Sequence, residues 1–162
     1  MAQIETQEKT IDDRAVRCTP HKGRPGARLL ARLLRHLGPA LGALRGVDID
    51  LSNGIQNVDV AELMPAIGRL FEILAPDEFD SLACEILSRC SIVLPDVDGK
   101  LRQYDLSKPA MIDDAFAGDL MLMFKVLGWS LEVNFSGFFH ALVQSGAVAA
   151  AREGEAKASP SE

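Results

Sequence analysis

Hydrophobic positions along the chain recur mostly at helical spacing. From Pro25 onward the leucines return at three- and four-residue steps, which is the apolar stripe of an amphipathic helix. The stripe consists of Leu29, Leu30, Leu33, Leu34, Leu37, Leu41 and Leu44. Gly38-Pro39 interrupts it, so we expect either a kink or a break into two helices at that point.

Three later stretches have a similar period. A second helix is predicted to open at Asp59, after a loop over residues 46–57. A third begins at Pro76, which suits a first helical turn, and the two acidic residues behind it favour the positive end of the helix dipole. The last helical region is predicted over about 109–143. Its expected core positions are Phe116, Leu120, Phe124, Leu127 and Leu131.

Two shorter stretches have the pattern of β-hairpins. Near residues 9–19, apolar and polar residues alternate after the turn residues Asp12-Asp13. Near residues 91–106, Asp98-Gly99 marks a turn between two strands. Pro95 either ends the first of these strands or confines it to a sheet edge.

These elements predict a mainly α (α+β) fold, a compact bundle of about four to five helices with one or two short β-hairpins. Residues 1–8 are expected to form a flexible N-terminus, and residues 9–145 a single helical domain. Residues 146–162 are rich in Ala, Gly, Glu and Ser, so we expect a disordered tail.

Composition points to a cytosolic protein. The 162 residues are 48% hydrophobic and 25% charged, an ordinary balance for one soluble domain. No apolar run is long enough to span a bilayer, and the N-terminus lacks the basic-then-apolar order of a secretory signal. The cysteines, Cys18, Cys84 and Cys90, are predicted to be small buried thiols in a reducing compartment.

Charge is distributed unevenly along the chain, whose net charge is −6. Residues 1–47 hold nine Lys/Arg and four Asp/Glu, giving +5, whereas residues 48–162 hold eight and nineteen, giving −11. The basic head is either a surface that steers a partner or a solvated helix face. Nucleic-acid binding is disfavoured, because the chain is acidic overall and holds one Trp and one Tyr.

The sequence contains no recognisable catalytic or metal-binding motif. His21, His36 and His140 have no partner at metal-ligand spacing. The glycines form neither a phosphate-binding loop nor a nucleophile elbow. The acidic turn at residues 96–99 lacks the closing Glu of a calcium loop. We therefore predict a non-enzymatic protein without metal or cofactor.

Two sets of residues are candidates for binding a partner. The arginines Arg28, Arg32 and Arg35 line one flank of the first helix. The second set, near the end of the last helix, comprises Phe135, Phe138 and Phe139. For these aromatic residues, a place in the core and a place in a partner groove both remain open.

Three segments resemble the tail assembly chaperones of long-tailed bacteriophages and prophages. They are residues 28–34 with the Gly38-Pro39 that follows, residues 75–79 (Ala-Pro-Asp-Glu-Phe), and residues 124–139 around Trp129. The resemblance covers roughly residues 9–143. It rests on packing and capping patterns in a shared order, and it transfers no residue-level binding site.

The resemblance implies a protein of the bacterial host cytoplasm that is absent from the mature virion. It would bind the aggregation-prone tape measure protein and help the tail tube protein to polymerise around it. A helix of the client would lie in an apolar groove of the chaperone. The alternatives are a structural tail-completion or connector component and, third, a small DNA-binding regulator.

Overall fold

The structure, a computed structural model, describes residues 4–43 and 74–144, with side chains at 4–36 and 74–138. These residues form, in chain order, β1 (Gln7–Ile11), β2 (Arg14–Cys18), α1 (Gly23–Ala43), α2 (Pro76–Leu87), β3 (Cys90–Pro95), β4 (Leu101–Asp105), α3 (Pro109–Ala115) and α4 (Leu120–Gln144). The predicted loop over 46–57, the helix predicted from Asp59 and the predicted tail lie outside the described residues.

The strands form one antiparallel sheet in the order β1-β2-β3-β4. The prediction of a helical bundle with one or two short hairpins is therefore wrong: the fold is α+β, with the sheet as a main element. The two hairpins join because β2 pairs with β3, with Val16 opposite Ile92 and Cys18 opposite Cys90. A local sequence pattern identifies a hairpin, but it does not show which distant strand the hairpin will meet.

The first hairpin confirms the prediction near residues 9–19, with β1 beginning slightly earlier, at Gln7. Its two-residue turn places Asp12 and Asp13 at φ 47° and 61°. Positive φ at both central positions is the signature of the type I′ turn, whose twist matches that of the strands. Lys125 of α4 binds both carboxylate oxygens of Asp12 at 2.8 Å, which ties the turn to that helix.

The second hairpin confirms the prediction near residues 91–106, and β3 ends at Pro95 as one alternative required. Alternate residues of the sheet are buried against the helices, as expected for a sheet with one covered face. The buried side chains of this face include Ile11, Val16, Cys18, Ile92, Leu94 and Tyr104. Outward-facing Glu8 and Arg17 form an ion pair on the open face.

Helix α1 buries Leu29 and Leu33, two members of the predicted leucine stripe. It continues through Gly38-Pro39, so the alternative of two separate helices is wrong. Helix α2 confirms the predicted helix, with Pro76 in its first turn and Asp77 beside it. The two helices contact each other, and Leu29 and Leu33 belong to the same core cluster as the buried side chains of α2.

The last helical region is two helices, because the chain turns at Gly118, where φ is 80°. Asp119 then caps α4: its Oδ1 accepts the backbone N–H of Leu122 at 3.0 Å. Leu120, in the first turn of α4, is 64% exposed, so its predicted place in the core is wrong. Leu127 is buried as predicted, and Phe124 and Leu131 are partly buried against the core. Phe116 is buried, as predicted, in the turn between the helices.

Candidate functional site

The three candidate arginines of α1 differ in their surroundings, and Arg32 is partly buried against α2. Its Nη2 donates to Glu78 Oε1 at 2.9 Å and to Ser81 Oγ at 3.1 Å. Its Nη1 donates to the carboxylate of Glu85. With its side chain 29% exposed, Arg32 joins α1 to three positions on one face of α2. Its position is that of a packing residue.

The ion pairs around Arg32 have a clear electrostatic effect. The hydrogen bond from Arg32 lowers the pKa of Glu78 below its ordinary value, since it stabilises the carboxylate. His36 Nε2 lies 3.1 Å from the same carboxylate oxygen. The bond to Glu78 in turn raises the pKa of Arg32. The cluster therefore favours the charged forms of its central pair.

Arg28 and Arg35 are exposed. No described residue accepts a hydrogen bond from either guanidinium or forms an ion pair with it. The spacing in the sequence predicts that all three arginines lie on one flank, but it does not show that Arg32 alone forms ion pairs with α2. That distinction depends on Glu78 and Glu85, which belong to a helix far along the chain.

The aromatic candidates also differ in how far they are buried. Phe135 is 5% exposed and belongs to the core, whereas Phe138 is 40% exposed. The side chain of Phe139 lies outside the described residues. The two candidate sets lie on different helices. The segment just before α1 is joined to α4 where the backbone N–H of His21 donates to Asn134 Oδ1 at 2.7 Å. α4 continues through Asn134, whose amide also bonds Ser130 O one turn earlier.

A buried polar cluster that the sequence did not reveal lies beneath the sheet. Cys18 and Cys90 face each other across β2 and β3. Cys90 Sγ donates to Ser130 Oγ at 3.4 Å, and Ser130 Oγ donates to the carbonyl of Ile86 at 3.1 Å. Strand alternation could have placed both thiols on the inner face, but their pairing depends on the β2–β3 register. Cys84 is half-buried, less enclosed than predicted.

The two thiols have opposite pKa shifts. The hydrogen bond with Cys90 lowers the pKa of Cys18 to about 7, against the effect of burial. The same bond, together with burial, raises the pKa of Cys90. Because both side chains are almost fully enclosed, the cluster ties the sheet to α2 and α4 rather than presenting a reactive group to solvent.

The remaining titratable groups give no further centre within the described part of the chain. Burial, with a contribution from Arg89, lowers the pKa of His21. No three His, Cys, Asp or Glu side chains among residues 4–36 and 74–138 are grouped so that they could hold a metal ion. None of the described helices combines the length and apolarity needed to cross a membrane.

Two shallow depressions lie over the open face and edge of the sheet. One of about 370 Å³ is lined by Thr19, Arg89 and Ser107 among others, and one of about 430 Å³ by Thr10 and Val93 among others. Their linings are mainly small and neutral. They hold no arrangement of nucleophile, base and orienting group of the kind acyl- or phosphoryl-transfer sites use.

The described residues thus form a small α+β protein built on one antiparallel sheet. The chain belongs to the phage tail assembly chaperone (TAC) family, whose model matches residues 12–147. This match confirms the resemblance found in the sequence. A family of chaperones is in keeping with a non-enzymatic role. No curated protein and no solved structure matches the chain.

Proposed function

We propose that this chaperone binds the tape measure protein of its phage, keeps it soluble, and promotes polymerisation of the tail tube around it. The observation that carries the proposal is the family match over residues 12–147. A tape measure protein is long and helical, and its apolar faces would aggregate before the tube covers them. A chaperone that covers those faces until tube protein replaces it would solve this problem.

The surface chemistry supports a contact between helices. Leu34 on α1 and Phe138 on α4 are exposed large apolar side chains, of the kind that anchor an amphipathic helix. Arg28 and Arg35 supply charge beside the first of them. Of the six candidate residues, Arg32 and Phe135 are committed to packing within the chain, so the proposed contact uses the exposed members of each set.

Co-expression with the tape measure protein encoded by the same phage tests the proposal. We expect the soluble fraction of the tape measure protein to rise when this chain is present, and the two to co-purify. A variant with Leu82→Asp, which disrupts the core of the chaperone at a 3% exposed position, is the matched control and should give no protection. Equal solubility with and without the intact chain would contradict the proposed function.

We further propose that the protein acts in the host cytoplasm and leaves before the virion is complete. Mass spectrometry of purified particles should then find the tape measure and tube proteins but not this chain. Its presence at a fixed ratio to tube subunits would instead favour a structural tail-completion or connector component. That result would refute departure from the particle, whatever the outcome of co-expression.

A further inference from the structure

One face of α1 carries three exposed arginines that the internal ion pairs do not use. Arg24 and Arg28 are four residues apart, and Arg35 follows seven residues later. At about 100° per residue these three positions fall within about 40° of one another around the helix. They extend over roughly 16 Å of its length. We call Arg24, Arg28 and Arg35 the arginine strip.

The arginine strip is separate from the contact between α1 and α2. Arg32 lies about 80° around the helix from Arg24, on the side where Glu78 and Glu85 bind it. No carboxylate among the described residues pairs with Arg24, Arg28 or Arg35. The strip therefore presents three positive charges that the described part of the fold leaves uncompensated.

Small and apolar residues border the arginine strip. Ala27 and Ala31 are exposed along its edge, and Leu34 beyond them is 36% exposed. Small side chains allow another helix to approach closely, and a neighbouring leucine gives it apolar area to cover. The face thus combines a charged side and an apolar side in parallel, which fits an amphipathic helix better than a flat or extended partner.

Resting on the proposed function, we propose that the arginine strip is the docking site for an acidic, amphipathic helical segment of the tape measure protein. Charge complementarity selects an acidic partner, and guanidinium groups bind carboxylates through paired hydrogen bonds. The client carboxylates would lie on one helix face at positions i, i+4 and i+11, or i, i+7 and i+11 for an antiparallel helix. The apolar flank of that helix would cover Leu34.

Nucleic acid is the other polyanion that an arginine strip would attract. Residues 48–162 have a net charge of −11, so a duplex laid along α1 would meet an acidic body on the same small molecule. Three contacts alone would give only weak, strongly salt-dependent retention of a duplex. The charge distribution therefore favours a short acidic helix, which can engage the strip without approaching the rest of the surface.

The test compares two triple variants with the same change in net charge. In the strip variant, Arg24→Gln, Arg28→Gln and Arg35→Gln are combined. In the control, Arg89→Gln, Lys100→Gln and Lys108→Gln are combined at exposed positions in connections between other elements. Each changes the net charge from −6 to −9, because three positive charges are removed. Circular dichroism and unfolding midpoints confirm that both remain folded.

Binding is measured by fluorescence anisotropy with labelled, overlapping helical fragments of the tape measure protein from the same phage. We expect the strip variant to bind the best fragment about tenfold more weakly, and the control variant within about twofold of the unmodified chain. Raising NaCl from about 50 to about 300 mM should weaken fragment binding by the unmodified chain and should change binding by the strip variant much less. Glu→Gln changes in that fragment should reproduce the loss.

Each other outcome contradicts either the strip or the proposed function. Fragments bound equally by the strip variant, or bound fragments without an acidic face, overturn the arginine strip while leaving tape measure binding intact. Failure of the unmodified chain to bind any fragment or the full-length tape measure protein overturns the proposed function itself. The choice of a protein partner is overturned if the unmodified and control chains bind a duplex DNA probe, the strip variant does not, and no fragment is bound.

Discussion

Arg32 joins two helices, whereas Arg28, one turn before it, faces solvent. We expect Arg32→Gln to lower the free energy of unfolding by about 1 kcal/mol, because it removes a partly buried network of carboxylate bonds. Arg28→Gln, the matched control, should change it by less than about 0.5 kcal/mol. Urea unfolding followed by circular dichroism measures both. Equal effects of the two substitutions would mean that the α1–α2 ion pairs do not form in solution.

The same ion pairs predict a dependence of stability on pH. The pKa of Glu78 is lowered from its ordinary 4.5 by Arg32, so the folded state holds the carboxylate charged more strongly than the unfolded chain does. The contribution of this carboxylate to stability is complete above pH 4.5 and is lost as the pH falls through its lower pKa in the folded state. Urea midpoints from about pH 6 to about pH 3 should therefore decline less steeply in Arg32→Gln than in the unmodified chain. Parallel curves would contradict this assignment.

The turn of the first hairpin places a non-glycine residue, Asp13, at φ 61°. Glycine adopts this conformation without steric cost, so Asp13→Gly should stabilise the fold by roughly 0.5 kcal/mol. Asp13→Val should destabilise it by about 1 kcal/mol or more, because β-branched residues are strained at positive φ. Thermal unfolding distinguishes the three proteins. Asp12 is kept, since its carboxylate binds Lys125.

The start of α4 gives a second prediction for an element. Leu120 is 64% exposed in the first turn, whereas Leu122 is 2% exposed. Leu120→Glu should therefore leave the unfolding midpoint nearly unchanged, since a carboxylate also suits a helix N-terminus. Leu122→Glu should prevent folding, because it buries a charge without a partner. If Leu120→Glu were the more damaging of the two, Leu120 would lie in the core, as the sequence pattern predicted.

How far the sequence predicted each element depends on where its determinants lie. Helix α2 and both hairpins were predicted because Pro76, the Asp12-Asp13 turn and Asp98-Gly99 are local signals. The break between α3 and α4, and with it the exposure of Leu120, was missed because an apolar pattern continues across Gly118 and outweighs the capping signal of Asp119. The spacing of the candidate arginines predicted that they share one flank of α1. Only the tertiary contact with α2 separates Arg32 from the others.

At the scale of the whole molecule, the β2–β3 register makes one sheet from two hairpins. The first hairpin contacts α4, and the second contacts α3 through β4. Ile92 lies at this junction, fully buried, opposite Val16 on one side and Tyr104 on the other. A single cooperative sheet would transmit a change at Ile92 to both hairpins. Two hairpins that were stable separately would not show this behaviour.

Ile92→Val tests this cooperativity, because it removes one methylene group from the centre of the sheet. We expect a loss of about 1 kcal/mol in the free energy of unfolding. Under native conditions, the most protected amides of β1 and β2 should lose the same protection against hydrogen exchange as those of β3 and β4. The matched control is Val97→Ala, at a fully exposed position in the turn of the second hairpin, which should change neither hairpin. If protection fell only in β3 and β4, the first hairpin would be held by α4 alone, through contacts such as Lys125 with Asp12, and not by the sheet.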